Sequence, residues 1–458
     1  MIYFKINWWK LNWIFSFMLS LCFISHSSFS QDKNQWMEYA SVLESGFSSE
    51  KLDSVTSRFN DLGGAALLVV SEGKVVLSVG DNTRRFMTHS IRKSFLSALI
   101  GIEVDKGNLD LDSSLESMGI DDVNPLTPTE KSATLRDLLS ARSGIYLPSA
   151  YSPRSMMNNL PERGSVRPGE KWLYNNWDFN ALVTIYNQAT GRDFFDDFDE
   201  KIAAPIGMQE FRLMDTYYRY EKDRSAHPAY LLNMSARDMA RFGLLYLNGG
   251  KWNGKQVIPA SWVEKSTSII SSDLGAFIER GGYGYLWWVS ETHQGKKMYY
   301  ASGLGGHRII VLPEDDMVIV SRSNTYENRM IRENDLEDLV GSIIDAKVSE
   351  PITKPRLKEY NPSPSVLPNQ YTGSMDQYLG AYEHPFLGMM EITKSDSGYV
   401  LKNNIGNFRL FALDKEYFYP EDLEIKVRMM KTEDPDKKHK MESVFNKDRT
   451  MKEVICFY

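Results

Sequence analysis

Between Ile91 and Val104 the chain places apolar residues at Ile91, Phe95, Leu96, Ala98, Leu99, Ile100, Ile102 and Val104. Wound at 3.6 residues per turn, these positions nearly surround the cylinder, which describes a central helix enclosed by other elements. Gly107, in Asp-Lys-Gly, supplies the stop signal. The fold must therefore build layers around this helix, and 458 residues are enough for two or three domains.

Ser90 opens the run, and Lys93 follows three residues later on the same helix face. A serine hydroxyl is a poor nucleophile unless a base stands close by and is neutral enough to take its proton. At a helix N-terminus, unpaired backbone N–H groups also favour developing negative charge. Spacing alone selects nothing: Ser30 with Lys33, Ser48 with Lys51 and Ser71 with Lys74 share it. Ser71 falls in the turn Ser-Glu-Gly-Lys and Ser30 at the end of a leader, whereas Ser90 heads a buried helix. By itself the pair could still be a helix-capping serine beside a surface lysine.

Residues 1–30 have the composition of a secretory signal peptide: Lys5 and Lys10 precede an apolar stretch from Leu11 to Ile24, no acid occurs, and Ser28 and Ser30 suit cleavage. Cleavage near Ser30 implies a secreted or periplasmic protein with no stable membrane span. An uncleaved anchor is the competing reading. After cleavage 51 basic residues face 60 acidic ones, a net charge of −9, so no basic stripe invites nucleic acid. Cys456 is then the single cysteine, which rules out an intrachain disulfide. The six dispersed histidines that remain of seven after cleavage, without His-Glu-x-x-His, argue against metal chemistry, and no cofactor is called for. No Gly-x-Ser-x-Gly elbow occurs.

The remaining chain reads as an α+β domain of residues 31–349, a proline-rich linker of 350–369 and a small antiparallel β-barrel of 370–458. A helix over Asp53 to Asn60 precedes a hairpin, Ala65 to Val70 and Lys74 to Val79. A mostly polar, helical middle includes Leu135 to Ser140, Phe179 to Ala189 and Ala236 to Asn248. Strand signals return at Tyr283 to Val289, Met298 to Ala301, Arg308 to Leu312 and Met317 to Ser321, before a helix from Asn334 to Ala346. This order predicts an antiparallel sheet whose first and last strands come from the two ends of the domain, with helices inserted between. Pro351, Pro355, Pro362, Pro364 and Pro368 resist any regular element. Short strand-like runs follow at Glu391 to Lys394, Tyr399 to Lys402, Phe408 to Leu413, Tyr417 to Tyr419, Leu423 to Met429 and Val454 to Tyr458, with Lys437 to Lys440 expected in a solvated loop.

Four segments arrive in an order that resembles one family: Ser-Ile-Arg-Lys-Ser-Phe at 90–95; Thr-Leu-Arg-Asp-Leu-Leu-Ser at 134–140 with Ser-Gly from 143; Pro-Gly-Glu-Lys-Trp-Leu-Tyr-Asn-Asn at 168–176; and Met-Ser-Ala-Arg-Asp-Met-Ala-Arg-Phe-Gly at 234–243. Together they resemble the serine β-lactamase and penicillin-binding-protein superfamily, most of all its class C branch with esterases, D-aminopeptidases and amide hydrolases. The tail beyond 370 resembles the lipocalin-like domain appended to such hydrolases. The resemblance implies an antiparallel sheet flanked by helices beside a helical subdomain, with the site at their junction. It further implies Ser90 as acyl-carrying nucleophile, Lys93 as its base, Tyr174 as proton relay and Asn176 as partner of Lys93 and the substrate amide.

The family's third motif, Lys-Thr-Gly or His-x-Gly, is matched by Ala301, Ser302 and Gly303, followed by Leu304. Gly303 permits close backbone approach, and the N–H of Leu304 would pair with that of Ser90 as an oxyanion hole. The cation is missing at Ala301, so a substrate carboxylate lacks its donor unless His307 or Arg308 replaces it; alternation marks those two as exposed edge residues. Trp287 and Trp288 read as core and cleft wall, and His89 as a packing or locally bonded residue. The expected function is a secreted acyl-serine hydrolase acting on an ester, amide or peptide, with slow β-lactam turnover. The alternative is a catalytically silent relative that binds such a ligand or the cell wall.

Overall fold

The computed structural model describes residues 35–275, 281–325, 329–362, 373–384, 388–395, 398–403, 406–412, 415–420, 425–431, 439–445 and 454–457. The expected leader, Pro364, Pro368, Leu413, Leu423, Lys437, Lys438 and Tyr458 lie outside them.

Strands Gly64–Ser71 and Lys74–Gly80 form the expected hairpin, and Gly64–Ser71 pairs on its other side with Met317–Ser323. From that join the sheet runs outward through His307–Leu312, Lys297–Gly303, Trp288–Glu291 and Gly282–Tyr283 on one side. On the other it continues through Met37–Tyr39 to Leu357–Glu359. All neighbours are antiparallel except Met37–Tyr39 against Lys74–Gly80.

Period-two alternation gives this sheet two apolar faces. Leu67 and Val69 share a core with Phe59 and Leu339, from helices Ser49–Asp61 and Glu333–Ala346. Leu68 and Val70 point the other way, into the larger core that holds Phe95 and Leu99. Fully burying each such side chain contributes about 1.5–3 kcal/mol, so the sheet register is strongly fixed. Helix Arg92–Asp105 is the enclosed cylinder foreseen from its sequence, with every residue from Arg92 to Glu103 buried. Fold class is thus α+β: an antiparallel sheet flanked by helices, a helical region beside it, and a closed eight-stranded antiparallel barrel from Gly380–His384 to Val454–Phe457.

Several local expectations change. Ser90 precedes the α-helix, in a 3-10 turn His89–Ile91 anchored where Thr88 N–H and Oγ1 both donate to the Leu232 carbonyl. The run Tyr283 to Val289 is two strands, because Leu286 adopts φ +63° and the Gly284 N–H donates to the Trp287 carbonyl, closing a turn. The Leu286 and Tyr285 carbonyls so exposed accept from Ser94 and Ser97 of the central helix. Within the expected linker, Leu357–Glu359 is an edge strand, a place where flanking prolines cost the ladder nothing. The helical middle also contains a three-stranded sheet of Phe86–Met87, Ala229–Met234 and Thr216–Arg219. Finally His439 and Lys440 begin strand His439–Phe445 and are not loop, since Lys440 pairs with Cys456.

Candidate active site

Asn175 caps helix Asn176–Thr190, its side chain accepting from the Asp178 N–H, which leaves Asn176 as the first helical residue and Tyr174 just outside. That cap brings Tyr174 and Asn176 against the turn holding Ser90. Strand Lys297–Gly303 packs on the same turn from the sheet side. The three segments bound a cleft of about 1090 Å³ whose walls include Ser90, Tyr174, Asn176, Ser302, Gly303 and Leu304.

Lys93 Nζ is the hub. It stands 3.1 Å from Ser90 Oγ, 2.5 Å from Tyr174 Oη and 3.0 Å from Asn176 Oδ1. It also lies 4.1 Å from the Tyr174 ring centroid and 4.2 Å from that of Phe179. Burial, and then the charge of neighbouring Arg92, hold the Lys93 amine well below its ordinary range. A neutral amine keeps a lone pair, which is what a base for Ser90 requires. Burial pushes the Tyr174 phenol up to about 12, against smaller opposite effects from Ser90 and Arg92, so the tyrosine holds its proton.

Asn176 is itself oriented: its Nδ2 donates to the Tyr151 carbonyl at 2.8 Å, which turns Oδ1 toward Lys93. Tyr151 adopts φ +56°, an uncommon conformation for a bulky residue. It is held there by its N–H on Glu221 and its hydroxyl 3.1 Å from His89 Nδ1. His89 Nε2 lies 2.9 Å from Thr325 Oγ1, and burial with Arg322 and Arg92 lowers its imidazole to about 3. One turn into the helix, Asp178 accepts from Ser143 Oγ at 2.5 Å, and burial raises its carboxyl to about 8. Trp288 stacks 5.6 Å from Tyr174 on the cleft wall, while Trp287 is fully enclosed in the core.

Gly303 explains how the strand comes so close. A Cβ there would sit 2.6 Å from the Thr88 carbonyl oxygen. Ala301, where the family cation would stand, is buried in the sheet. The expectation that His307 and Arg308 are exposed edge residues is overturned, because their strand is internal and covered on both faces. His307 accepts from Arg322 Nε at 2.9 Å inside the core. Arg308 lines the cleft, with Nε donating to Ser302 Oγ at 3.1 Å, Nη2 paired with Glu333 and its guanidinium 4.2 Å from the Tyr300 ring. Among the described residues no group of three or more His, Cys, Asp or Glu could hold a metal ion.

Residues 52–341 match the family model described as Beta-lactamase, well over half of the chain. The protein belongs to the beta-lactamase family. A relative in Alkalihalophilus pseudofirmus, described as uncharacterised, is 22% identical over 319 residues, covering 61% of this chain and 90% of its own. Among solved structures, a Bacillus anthracis protein named as a 6-aminohexanoate-dimer hydrolase aligns with TM-score 0.51 at 24% identity, over 63% of this chain and 80% of that one. A penicillin-binding protein homologue from Pyrococcus abyssi, described as octameric, aligns with TM-score 0.50 at 16% identity, over 89% and 99%. These structural likenesses show the beta-lactamase fold, and the second extends over most of the chain.

Tyr151, Arg92, Glu333 and Thr325 are the site neighbours that spacing did not single out. Arg92 is visible in the sequence as one of two adjacent cations, with Lys93, at the head of an apolar run. Tyr151 had none, since its role depends on a backbone carbonyl.

Proposed function

We propose that this beta-lactamase-family protein is a serine hydrolase that forms an acyl-enzyme on Ser90 and cleaves an ester, amide or peptide bond in a small molecule or peptide. The observation that carries the reading is the buried Lys93 amine, held within hydrogen-bonding distance of Ser90, Tyr174 and Asn176 and paired with no carboxylate among the described residues. In the proposed course, Ser90 Oγ attacks the carbonyl carbon as its proton passes to Lys93 Nζ. Tyr174, protonated and in contact with Lys93, carries a proton on to the departing alcohol or amine. Water then attacks the acyl-enzyme with the same groups acting in reverse. The N–H groups of Ser90 and Leu304 receive the oxyanion, each such donor being worth about 3–4 kcal/mol at the transition state.

Of the arginines that line the cleft, Arg308 is the one bonded to Ser302 on the strand that carries Gly303, and Glu333 already neutralises it. The cleft therefore favours substrates without a carboxylate at that position, and β-lactam turnover is slow. The leader directs export to the periplasm or medium, and the barrel is a lipocalin-like appendage to the hydrolase domain.

The test is turnover of p-nitrophenyl esters and a chromogenic cephalosporin by the wild type and Ser90→Ala. The expected outcome is ester hydrolysis that Ser90→Ala abolishes with an unchanged melting temperature, and a much slower cephalosporin reaction. Ester turnover surviving in Ser90→Ala would move the nucleophile elsewhere, and fast cephalosporin turnover would overturn the argument from Glu333.

A further inference from the structure

Arg92 breaks three rules at once. It is a fully buried cation, whereas buried charges are ordinarily paired or metal-bound. Its Nε and Nη2 have no hydrogen-bond acceptor, and no carboxylate pairs with it among the described residues; Nη1 alone donates, to the His89 carbonyl at 2.9 Å. It is also the first residue of helix Arg92–Asp105, where the helix dipole disfavours positive charge. In place of an anion the protein supplies two aromatic faces, Tyr230 at 4.9 Å and Tyr151 at 5.7 Å from the guanidinium carbon. Violations of local rules gathered on one side chain are expected where function requires them.

We infer that Arg92 is an electrostatic positioning residue, a fixed positive charge next to Lys93 that keeps the amine unprotonated and ready to accept the Ser90 proton. The inference rests on the hydrolase reading above. A carboxylate near Arg92 would cancel its field, and aromatic faces hold a guanidinium without doing so. Burial of Lys93 acts in the same direction, and Arg92 adds to it. The other groups around Lys93 leave this charge uncompensated. From the turn come Ser90 and His89, the latter neutral. The segment 174–179 presents Tyr174, Asn176 and Phe179, with Asp178 on that helix facing Ser143. Tyr230 and Tyr151, both with raised phenol groups, complete the surroundings of Arg92. Beyond Tyr151 stands one carboxylate, Glu221, already shared by Arg219 and Arg224, and beyond His89 stand Arg322 and His307.

The experiment is the pH dependence of kcat/KM for a p-nitrophenyl ester in wild type, Arg92→Gln and Arg92→Lys, with fluorophosphonate labelling and peptide mapping of each. Arg92→Gln should move the acidic limb upward by about one pH unit, a roughly tenfold loss on that limb that rising pH restores. Arg92→Lys retains the charge and should keep the limb in place. An unmoved limb in folded Arg92→Gln, or a limb displaced as far in Arg92→Lys, overturns the inference. Should Arg92→Gln not fold, Arg92→Lys decides alone: a wild-type limb supports the inference, and a displaced one contradicts it. The labelling separates this result from the underlying reading. A wild type without an adduct on Ser90 defeats the hydrolase proposal and the inference with it, while an adduct on Ser90 with unmoved limbs defeats only the role of Arg92.

Discussion

Ser90 and Lys93 share a face three residues apart, yet three other serine–lysine pairs in the chain have that spacing; the buried helix they head and the motifs around them singled this pair out. Tyr174 and Asn176, one on each side of a capping asparagine, entered only through the resemblance to the serine β-lactamase superfamily. Arg308 was misjudged for a physical reason: alternation along six residues cannot distinguish an edge strand from an internal one covered by helices on both faces. Asp178 carries a titration argument of its own. Its folded carboxyl is pushed from 3.8 up to about 8, so between those values the folded protein holds a proton that the unfolded chain has released. Stability from this site must then fall as pH rises through the window, by up to about 1.4 kcal/mol per unit for one proton. Asp178→Asn cannot titrate and should gain stability relative to wild type between pH 5 and pH 8. Urea midpoints at the two pH values check this, and parallel behaviour of the two proteins would refute it.

Among the elements, long strongly patterned segments were the legible ones: the hairpin, the central helix and the two helices covering the outer face. The strand over 283–289 broke in two because a turn at Leu286 feeds carbonyls to Ser94 and Ser97, a tertiary demand with no mark in local periodicity. The short strand Leu357–Glu359 hid among prolines for the opposite reason, since an edge strand tolerates them. The site depends on how closely strand Lys297–Gly303 approaches the turn His89–Ile91. Gly303→Ala introduces a methyl 2.6 Å from the Thr88 oxygen, so strand and turn must separate. A displacement on the order of 1 Å at reacting groups costs roughly a hundredfold in rate, and kcat/KM for an ester should fall by about that factor. Wild-type turnover in Gly303→Ala would mean that the strand does not set the geometry.

At the scale of the molecule, the barrel has its own core, including Tyr382, Phe408, Phe418 and Met441, distinct from the two cores of the sheet. Its strand Gly406–Ala412 rests on Thr216–Arg219, with Asn407 Nδ2 donating to the Thr216 carbonyl at 3.3 Å. A core of its own predicts separate unfolding. Phe418→Ala should destabilise one calorimetric transition by about 3–5 kcal/mol and leave ester turnover unchanged. Loss of both together would show that barrel and cleft fold as one unit. The most direct test of the whole reading is fluorophosphonate labelling with peptide mapping, comparing wild type with Lys93→Met. The expected result is a single adduct on Ser90 in the wild type and almost none in the variant. Labelling of Lys93→Met at the wild-type rate, or an adduct on another residue, would contradict an uncharged Lys93 as the group that activates Ser90.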